Sequence, residues 1–174
     1  FPHAIHQRAF VNFSQGSYDD AVRDCTLFLD KFPLLPMATD VLIWLGDHFA
    51  NIGESEKSEK SFLKLVTLHP RSPYAAGALY EAAKSAYERD DMTGAALLLQ
   101  QLRVTYVDSE TAQDHPIASA KVQAQMELLH GDILAKSGSF ADALSHFTRA
   151  RELAGDTTLG ISALGRRGDM YYSL

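Results

Sequence analysis

The chain has 174 residues, of which 46% are hydrophobic and 22% are charged, and its formal net charge is -6. This length and composition are those of an ordinary globular domain with one continuous core. The acidic balance argues against nucleic acid as a partner, because phosphate binding needs a clustered basic surface. No run of about 18 apolar residues is present, so the sequence predicts no membrane span.

Apolar residues recur at helical spacing and predict two helices in each of four successive units. The predicted helices, in chain order, are Ile5–Gln15, Tyr18–Phe32, Ala38–Asn51, Ser55–His69, Pro73–Arg89, Met92–Tyr106, Ile117–Ser137 and Phe140–Leu153, followed by Thr157–Tyr172 as the first helix of a fifth unit. Gly16, Gly53 and Gly138 occupy the same turn of their units, where we expect a left-handed residue to end the first helix. Asp90 and Asp91 stand at that turn in the third unit.

Two proline pairs, Pro33 with Pro36 and Pro70 with Pro73, mark the boundaries between units and have identical spacing. The first proline of each pair is expected to end a helix. The second can occupy the first turn of the next helix, where its missing N–H costs nothing. Ser72 is then a candidate N-cap for the helix that follows.

A fixed period runs through the whole chain. Equivalent positions are held by Ala9, Gly46, Ala83, Gly131 and Gly168, and three of the four intervals between them are 37 residues. Such a period is typical of stacked-repeat proteins. The third interval is 48 residues, and its extra length falls in Asp108–Pro116, which is either a longer loop or a backward extension of the next helix. Insertions of this kind often form part of a binding face, although a tolerated surface insertion is the alternative.

The units resemble the tetratricopeptide repeat, most closely at Leu42–Gly53 (LIWLGDHFANIG) and Met126–Ala154. The resemblance implies an all-α fold, a right-handed α-solenoid of helix-turn-helix repeats with about four and a half units in a single domain. The units are roughly 2–38, 39–75, 76–123 with an insertion at 108–116, 124–160, and a partial unit at 161–174. The chain departs from the family pattern at four positions: Arg8, Ser58, Val107 and His130.

The resemblance also implies a binding surface, because the first helices of the family line a concave groove. The candidate groove residues are Trp44, Asp47, Asn51, Tyr80, Lys84, Tyr87, Asp132, Lys136 and Asp169. Asp47, Asp132 and Asp169 are equivalent by register, which predicts a locally acidic groove beside an aromatic strip. The hypothesis is a site for a peptide with basic and apolar side chains. The alternative is that the aspartates bond to neighbouring backbone or arginine side chains and that the aromatics belong to the core.

No motif for catalysis, cofactor binding or metal binding is found. His3 and His6 share a helix face, but no acidic residue or cysteine lies close to them in sequence, so we interpret them as surface histidines. Cys25 is the only cysteine, which excludes an internal disulfide framework, and its position predicts a structural thiol in the core. The sequence therefore predicts a protein that is not an enzyme.

The function predicted from these features is a non-catalytic scaffold that binds a peptide or protein of unknown identity. The alternative is a regulatory or helper segment of a larger enzyme or of a secretion or assembly machine. Phe28–Pro33 and Leu65–Pro73 are similar in style to repeats of bacterial cell-envelope proteins, which favours the periplasm over the cytoplasm. Because the chain begins at Phe1 and ends within a repeat, we expect it to be part of a longer protein, or its last helix to mediate self-association.

Overall fold

Every regular element in the computed structural model, which describes residues 1–108 and 116–174, is an α-helix. The helices are α1 (Pro2–Ser14), α2 (Tyr18–Lys31), α3 (Ala38–Asn51), α4 (Ser55–Leu68), α5 (Ala75–Glu88), α6 (Met92–Tyr106), α7 (Ala120–Lys136), α8 (Phe140–Ala154) and α9 (Thr158–Ser173). Each helix packs against the next in sequence, which gives a solenoid of helix pairs. The all-α solenoid predicted from the repeat period is confirmed, and the helix bounds agree within a few residues.

The turn inside each unit has the predicted left-handed backbone. Gly16, Gly53 and Gly138 have φ angles of 76°, 78° and 81°, and Asp90 has a φ of 62° at the same place in the third unit. A residue with a β-carbon is strained there, and aspartate tolerates the conformation better than most. The turn is therefore conserved in geometry although its residue changes from glycine to aspartate.

The prediction that Pro36 and Pro73 occupy a first helical turn is wrong. The helices α3 and α5 begin two residues later, at Ala38 and Ala75. In each case the connecting turn is closed before the helix begins, because the N–H of that alanine donates to the carbonyl three residues earlier. Ser72 does not cap α5 in the expected way; its hydroxyl accepts from the N–H of Tyr74, 3.2 Å away, within the turn.

Successive junctions are joined by one repeated contact. His69 Nε2 lies 2.9 Å from the carbonyl oxygen of Pro33, and the hydroxyl of Tyr106 donates to the carbonyl of Pro70 at 3.1 Å. His69 and Tyr106 are themselves 37 residues apart, so the second helices α4 and α6 each end at a side chain that reaches back to the preceding junction. The contact holds consecutive units in a fixed relation.

The buried side chains form two separate clusters. The larger runs from α1 to one side of α7 and includes Phe28, Leu65 and Leu99. The smaller consists of Leu128, Ala143, Phe147, Ala150 and Ala163, between α7, α8 and α9. The core therefore divides at α7, whose opposite sides serve different clusters.

The predicted insertion at 108–116 falls largely outside the described residues, since the description stops at Asp108 and resumes at Pro116. Part of the extra length lies in α7, which has 17 residues where α5 has 14. The segment before α7 is anchored, because the N–H of Ala118 donates to the carbonyl of Tyr106 at 2.8 Å.

Over the ranges that are described, no helix has the length and apolar character needed to cross a membrane.

Candidate functional site

The first helices of successive units (α1, α3, α5, α7 and α9) lie side by side, and we call their shared outer surface the first-helix face. The helix α7 packs against both α5 and α9, and ring contacts join α1 to α3. This face carries the candidate residues that the repeat register assigned to it. The second helices lie on the other side of the solenoid.

Trp44 is the centre of an aromatic cluster on the first-helix face. Its ring centroid lies 4.9 Å from that of His6, 5.7 Å from that of Phe10 and 6.1 Å from that of Phe13. Trp44 is half-buried, while Phe10 is 55% exposed. Beside the cluster is a shallow pocket of about 280 Å³ whose walls include Asp47 and Asn51. The structure therefore places Trp44 partly in the packing between α1 and α3 and partly at the surface.

Asp47 on α3 and Glu81 on α5 lie close enough for the charge of Asp47 to act on Glu81. Partial exclusion of water raises the pKa of Asp47, and Lys84 on α5 opposes this rise. Burial also raises the pKa of Glu81, with Asp47 and Glu88 adding to the rise and Lys84 opposing it. Lys84 Nζ lies 3.6 Å from Glu81 and 3.9 Å from Glu88, so it offsets part of this negative charge. Within the described residues, no ion pair within 4.0 Å reaches Asp47.

Asp132 occupies the position equivalent to Asp47 but has a different environment. Its carboxylate accepts from Arg166 Nε on α9 at 2.6 Å. Burial raises the pKa of Asp132, and Arg166 opposes this rise. Tyr80 lies in the same region, where burial first and then the nearby carboxylates raise the pKa of its hydroxyl to about 12. Asp132 therefore links α7 to α9, whereas Asp47 has no ion-pair partner in the part of the chain that the structure describes.

The remaining candidates are spread along the edge of the face. Lys136 Nζ lies 2.7 Å from Asp90 and 4.7 Å from the ring centroid of Tyr87. These contacts join α7 to the turn that follows α5. Asp169 is exposed on α9. The register of the repeat thus brings Trp44, Asp47 and Asn51 together at one pocket, while Asp132 and Asp169 lie with other groups.

A second pocket of about 370 Å³ lies between α3, α5 and the segment that leads into α7. Its walls are mainly apolar and include Ile43, Tyr74, Ile117 and Val122, while Asp47 and Glu81 also line it. We call this the acid-ended pocket. Sequence reasoning missed it, because Ile117 comes from the segment where the 37-residue period is broken. In the sequence, this pocket was indicated only by the insertion at 108–116 that precedes Ile117.

A buried carboxylate on α7 was also missed. Glu127 is 1% exposed and accepts from Arg103 at 2.8 Å, with His146 Nδ1 at 2.7 Å and Arg149 Nε at 3.4 Å. Burial opposes ionisation of Glu127, but the hydrogen bonds from His146 and Arg103 outweigh it and lower its pKa. The ring of His130 lies 4.3 Å from that of His146. The sequence feature that could have indicated this carboxylate is a charged residue within the otherwise apolar Met126–Leu129, followed by His130, which departs from the repeat pattern.

The described residues contain no cluster of three or more histidine, cysteine or acidic side chains that could hold a metal ion. Cys25 is buried, and burial raises the pKa of its thiol to about 12. A thiol with such a pKa is protonated at neutral pH and is a poor nucleophile. Its place in the larger cluster agrees with the structural role expected of it.

One family model and several solved structures are similar to this chain. Residues 77–109 match the family model described as the tetratricopeptide repeat. Two crystal structures of MamA are similar to this chain at 17% identity. The first has a TM-score of 0.66, and the match covers 99% of this chain and 87% of that chain. The second has a TM-score of 0.61, and the match covers 95% of this chain and 93% of that chain. A tetratricopeptide repeat protein from Parabacteroides merdae matches at 12% identity and a TM-score of 0.39, over 97% of this chain and 71% of that chain. No curated protein matches the chain.

The family model supports the repeat that the third unit was predicted to contain. The MamA structures are similar in fold over nearly the whole of this chain. Together with the helix order and the register of the turns, these findings show that the chain folds as a solenoid of tetratricopeptide-like helix pairs.

Proposed function

We propose that this chain is a non-catalytic scaffold that binds a segment of another protein on its first-helix face. The observation that carries the proposal is the aromatic cluster around Trp44, which is open to solvent at Phe10 and borders a pocket with Asp47 and Asn51. Aromatic side chains supply much of the binding energy at protein interfaces. The exposed aromatic cluster with polar groups at its rim has the composition expected of an interface anchor, which supports the proposal.

The architecture supports the same conclusion. Solenoids of this kind present extended surfaces, and each unit contributes an equivalent row of side chains to the face. A peptide that lies along the first-helix face would therefore meet Trp44 and Asn51 of the second unit, then Tyr80, Lys84 and Tyr87 of the third, and then Asp132 and Lys136 of the fourth. Asp169 extends this row to α9.

Selection of binding peptides tests the proposal. A library of random short peptides is selected on the immobilised chain, and the selected peptides are titrated while the fluorescence of Trp44, the single tryptophan, is followed. We expect saturable changes in that fluorescence. We also expect affinity to fall by about tenfold in a Phe10→Ala variant, since truncation of an interface anchor typically costs more than 1 kcal/mol.

The matched control is Leu97→Ala, because Leu97 is 60% exposed on the second helix α6, away from the first-helix face. Peptides that bind equally well to wild type and to Phe10→Ala, but lose affinity with Leu97→Ala, would place the site on the other side of the solenoid and contradict the proposal.

We further propose a bacterial cell-envelope location, supported by the similarity in style of Phe28–Pro33 and Leu65–Pro73 to envelope repeats. Fractionation of the source cells, with detection of the protein by antibody, tests this. Recovery in the cytoplasmic fraction alone would contradict it, and would leave the binding proposal unaffected.

A further inference from the structure

The acid-ended pocket is the feature of the first-helix face with the most defined chemistry. Its volume is about 370 Å³, and most of its walls are apolar. The charged side chains among its described lining residues are Asp47 and Glu81, and both are negative. The pocket therefore combines apolar walls with anionic groups. A purely apolar ligand would leave the carboxylates unpaired, and an anionic ligand would be repelled by them.

The wall of the pocket next to α7 is held in place by specific contacts. The N–H of Ala118 donates to the carbonyl of Tyr106, and the side chain of Gln123 donates to the carbonyl of Ala118, each at 2.8 Å. Ala118 is 3% exposed, whereas the neighbouring Ile117 is 66% exposed. These contacts fix the backbone while leaving Ile117 at the pocket and open to solvent. An exposed isoleucine on an anchored backbone can contact a ligand without a prior ordering cost.

The two carboxylates that line the pocket provide the charge complementarity. Asp47 and Glu81 repel each other, and Lys84 only partly offsets their charge from outside the pocket. A cation placed between them would relieve this repulsion and would be bound by charge-assisted hydrogen bonds. The apolar walls suit a methylene stem, because lysine and arginine bury their stems while their charged ends stay with polar groups.

From this geometry we infer that the acid-ended pocket binds a lysine or arginine side chain of a partner protein segment, with its stem against Ile117, Tyr74 and Val122 and its cation between Asp47 and Glu81. The inference rests on the proposed function, because it names the partner's chemistry at one point of the first-helix face. It makes the segment leading into α7, where the repeat period is broken, part of the binding surface.

The test uses the whole chain and the same library of random short peptides. We expect the peptides selected on wild type to share a lysine or arginine next to an apolar residue. Replacement of that residue by norleucine, which keeps the stem and removes the cation, is expected to weaken binding by about tenfold or more. The double variant Asp47→Asn with Glu81→Gln should remove most of this difference between the two peptides.

Two further variants separate loss of binding from loss of folding. A β-carbon at Gly77, which lines the pocket, meets no atom within 4 Å, so Gly77→Leu adds a bulky side chain at the pocket from an unhindered β-carbon, and leucine is the better helix former. Gly165→Leu is the matched control, because Gly165 is equally open but lies on α9 away from the pocket. We expect Gly77→Leu to weaken binding of the cationic peptides about tenfold and Gly165→Leu to leave it unchanged.

The outcomes distinguish the inference from the proposed function. Peptides that lose affinity with Phe10→Ala but carry no shared cation, or that bind equally well after the norleucine replacement, would overturn the inference and leave the proposed function standing. Binding of cationic peptides unchanged by Gly77→Leu would also overturn it. Peptides insensitive to every substitution on the first-helix face would overturn both.

Discussion

A small residue on the first helix of each unit faces a side chain on the second helix, and the sizes of the two are complementary. Gly46 faces Phe62, and Gly131 faces Phe147. At the equivalent positions of the first and third units, Ala9 and Ala83 are accompanied by the smaller Cys25 and Leu99. Glycine thus occurs where the partner is phenylalanine, because a ring on one helix leaves no room for a methyl group on the other.

The first prediction is that Gly46→Ala destabilises the protein although alanine is the better helix former. The added β-carbon would lie 2.5 Å from the ring of Phe62, which is itself 2% exposed and has little freedom to move. We expect the free energy of unfolding to fall by about 1–3 kcal/mol, the usual cost of overpacking a core. Urea denaturation followed by circular dichroism measures it.

The double variant Gly46→Ala with Phe62→Leu is the decisive comparison, since it recreates the pairing of Ala83 with Leu99. The coupling energy in a double-mutant cycle should favour the pair by about 1 kcal/mol or more. Gly165→Ala is the control, because no atom lies within 4 Å of the added group, and it should not destabilise. Additive losses from the two core substitutions would rule out size complementarity as the explanation for glycine.

The second prediction concerns Asp47, whose raised pKa implies that its ionised carboxylate lowers the stability of the folded state at neutral pH. The pKa of Asp47 lies above its ordinary value of 3.8, so at pH 7 the folded state holds a charge that the unfolded state holds more easily. Asp47→Asn should therefore raise the free energy of unfolding at pH 7, by less than about 1 kcal/mol because the group is exposed. The gain should disappear as the pH falls towards 3.8.

Chemical denaturation of Asp47→Asn at pH 7 and at pH 4 measures this difference. Asp169→Asn is the control, because Asp169 occupies the equivalent position on the last helix but is not among the residues that line the acid-ended pocket. A loss of stability in Asp47→Asn at pH 7 would show that the Asp47 side chain stabilises the folded state. The predicted gain would agree with a residue kept at that position for binding.

At the scale of helices, the packing of α7 against α6 and α8 depends on a buried charge network. Glu127 on α7 is contacted by Arg103 from α6 and by His146 and Arg149 from α8. The ring of His130, one turn further along α7, packs against that of His146 in a tilted arrangement. The network explains why His130 replaces the leucine that is usual at this position of the repeat. In the first unit the equivalent Arg8 pairs with Asp24, so both departures mark polar contacts between helices.

The third prediction is that this network makes the protein sensitive to mild acid. Burial first, and then the nearby His146 and Arg103, lower the pKa of His130 below its ordinary value of 6.5, while Glu127 opposes this shift. Below pH 6.5 the unfolded state takes up a proton that the folded state resists, so stability is lost as pH falls. The slope is at most about 1.4 kcal/mol per pH unit, and the loss levels off below the folded pKa.

His130→Leu, which restores the usual residue of the repeat, should reduce the loss of stability between pH 7 and pH 5. The comparison with wild type isolates His130 from Glu127, because the pKa of Glu127 lies below its ordinary 4.5 and its effect appears at lower pH. Thermal unfolding at several pH values is the measurement. Identical pH dependence in the two proteins would contradict the role of His130.

The fourth prediction is that Glu127→Gln costs about 3 kcal/mol, because it leaves Arg103 and the histidines without their buried counter-charge. Urea denaturation at pH 7 measures the loss. Glu152→Gln is the control, since Glu152 is an exposed acid on α8. If the free energy of unfolding changed by less than about 0.5 kcal/mol in Glu127→Gln, water would have fully replaced the carboxylate as the partner of the arginines.

Helices and their order could be predicted because they depend on local periodicity, which one sequence contains. Their first residues were harder to predict: Pro73 was expected to begin α5 but lies before it, since the turn before the helix closes through its own hydrogen bonds. Trp44, Asp47 and Asn51 could be assigned to one surface by register alone. The register could not predict that Asp132 pairs with Arg166, because Arg166 comes from another unit. It could not predict that Ile117 lines a pocket either, because Ile117 follows the break in the period.

At the scale of the whole molecule, the division of the core at α7 predicts unequal stability along the solenoid. In a stacked array each unit is stabilised mainly by its neighbours, so a small terminal cluster is expected to open before a large internal one. The larger cluster extends over α1 to α7 and the smaller joins α7 to α8 and α9. Much of the outer side of α9 is exposed, including Ile161 at 63% and Leu164 at 51%.

The fifth prediction is that α8 and α9 exchange their amide hydrogens faster than α3 to α6, by a factor of about ten or more if the opening free energies differ by at least 1.4 kcal/mol. Hydrogen exchange with mass spectrometry measures this. Phe147→Ala should increase exchange in α8 and α9 while leaving α3 and α4 nearly unchanged, because Phe147 belongs to the smaller cluster alone. Phe62→Ala, in the larger cluster, should increase exchange in α3 to α6. Uniform acceleration of every helix by Phe147→Ala would instead mean that α7 couples the two clusters into one cooperative unit, so that the network at Glu127 transmits stability across the break in the repeat.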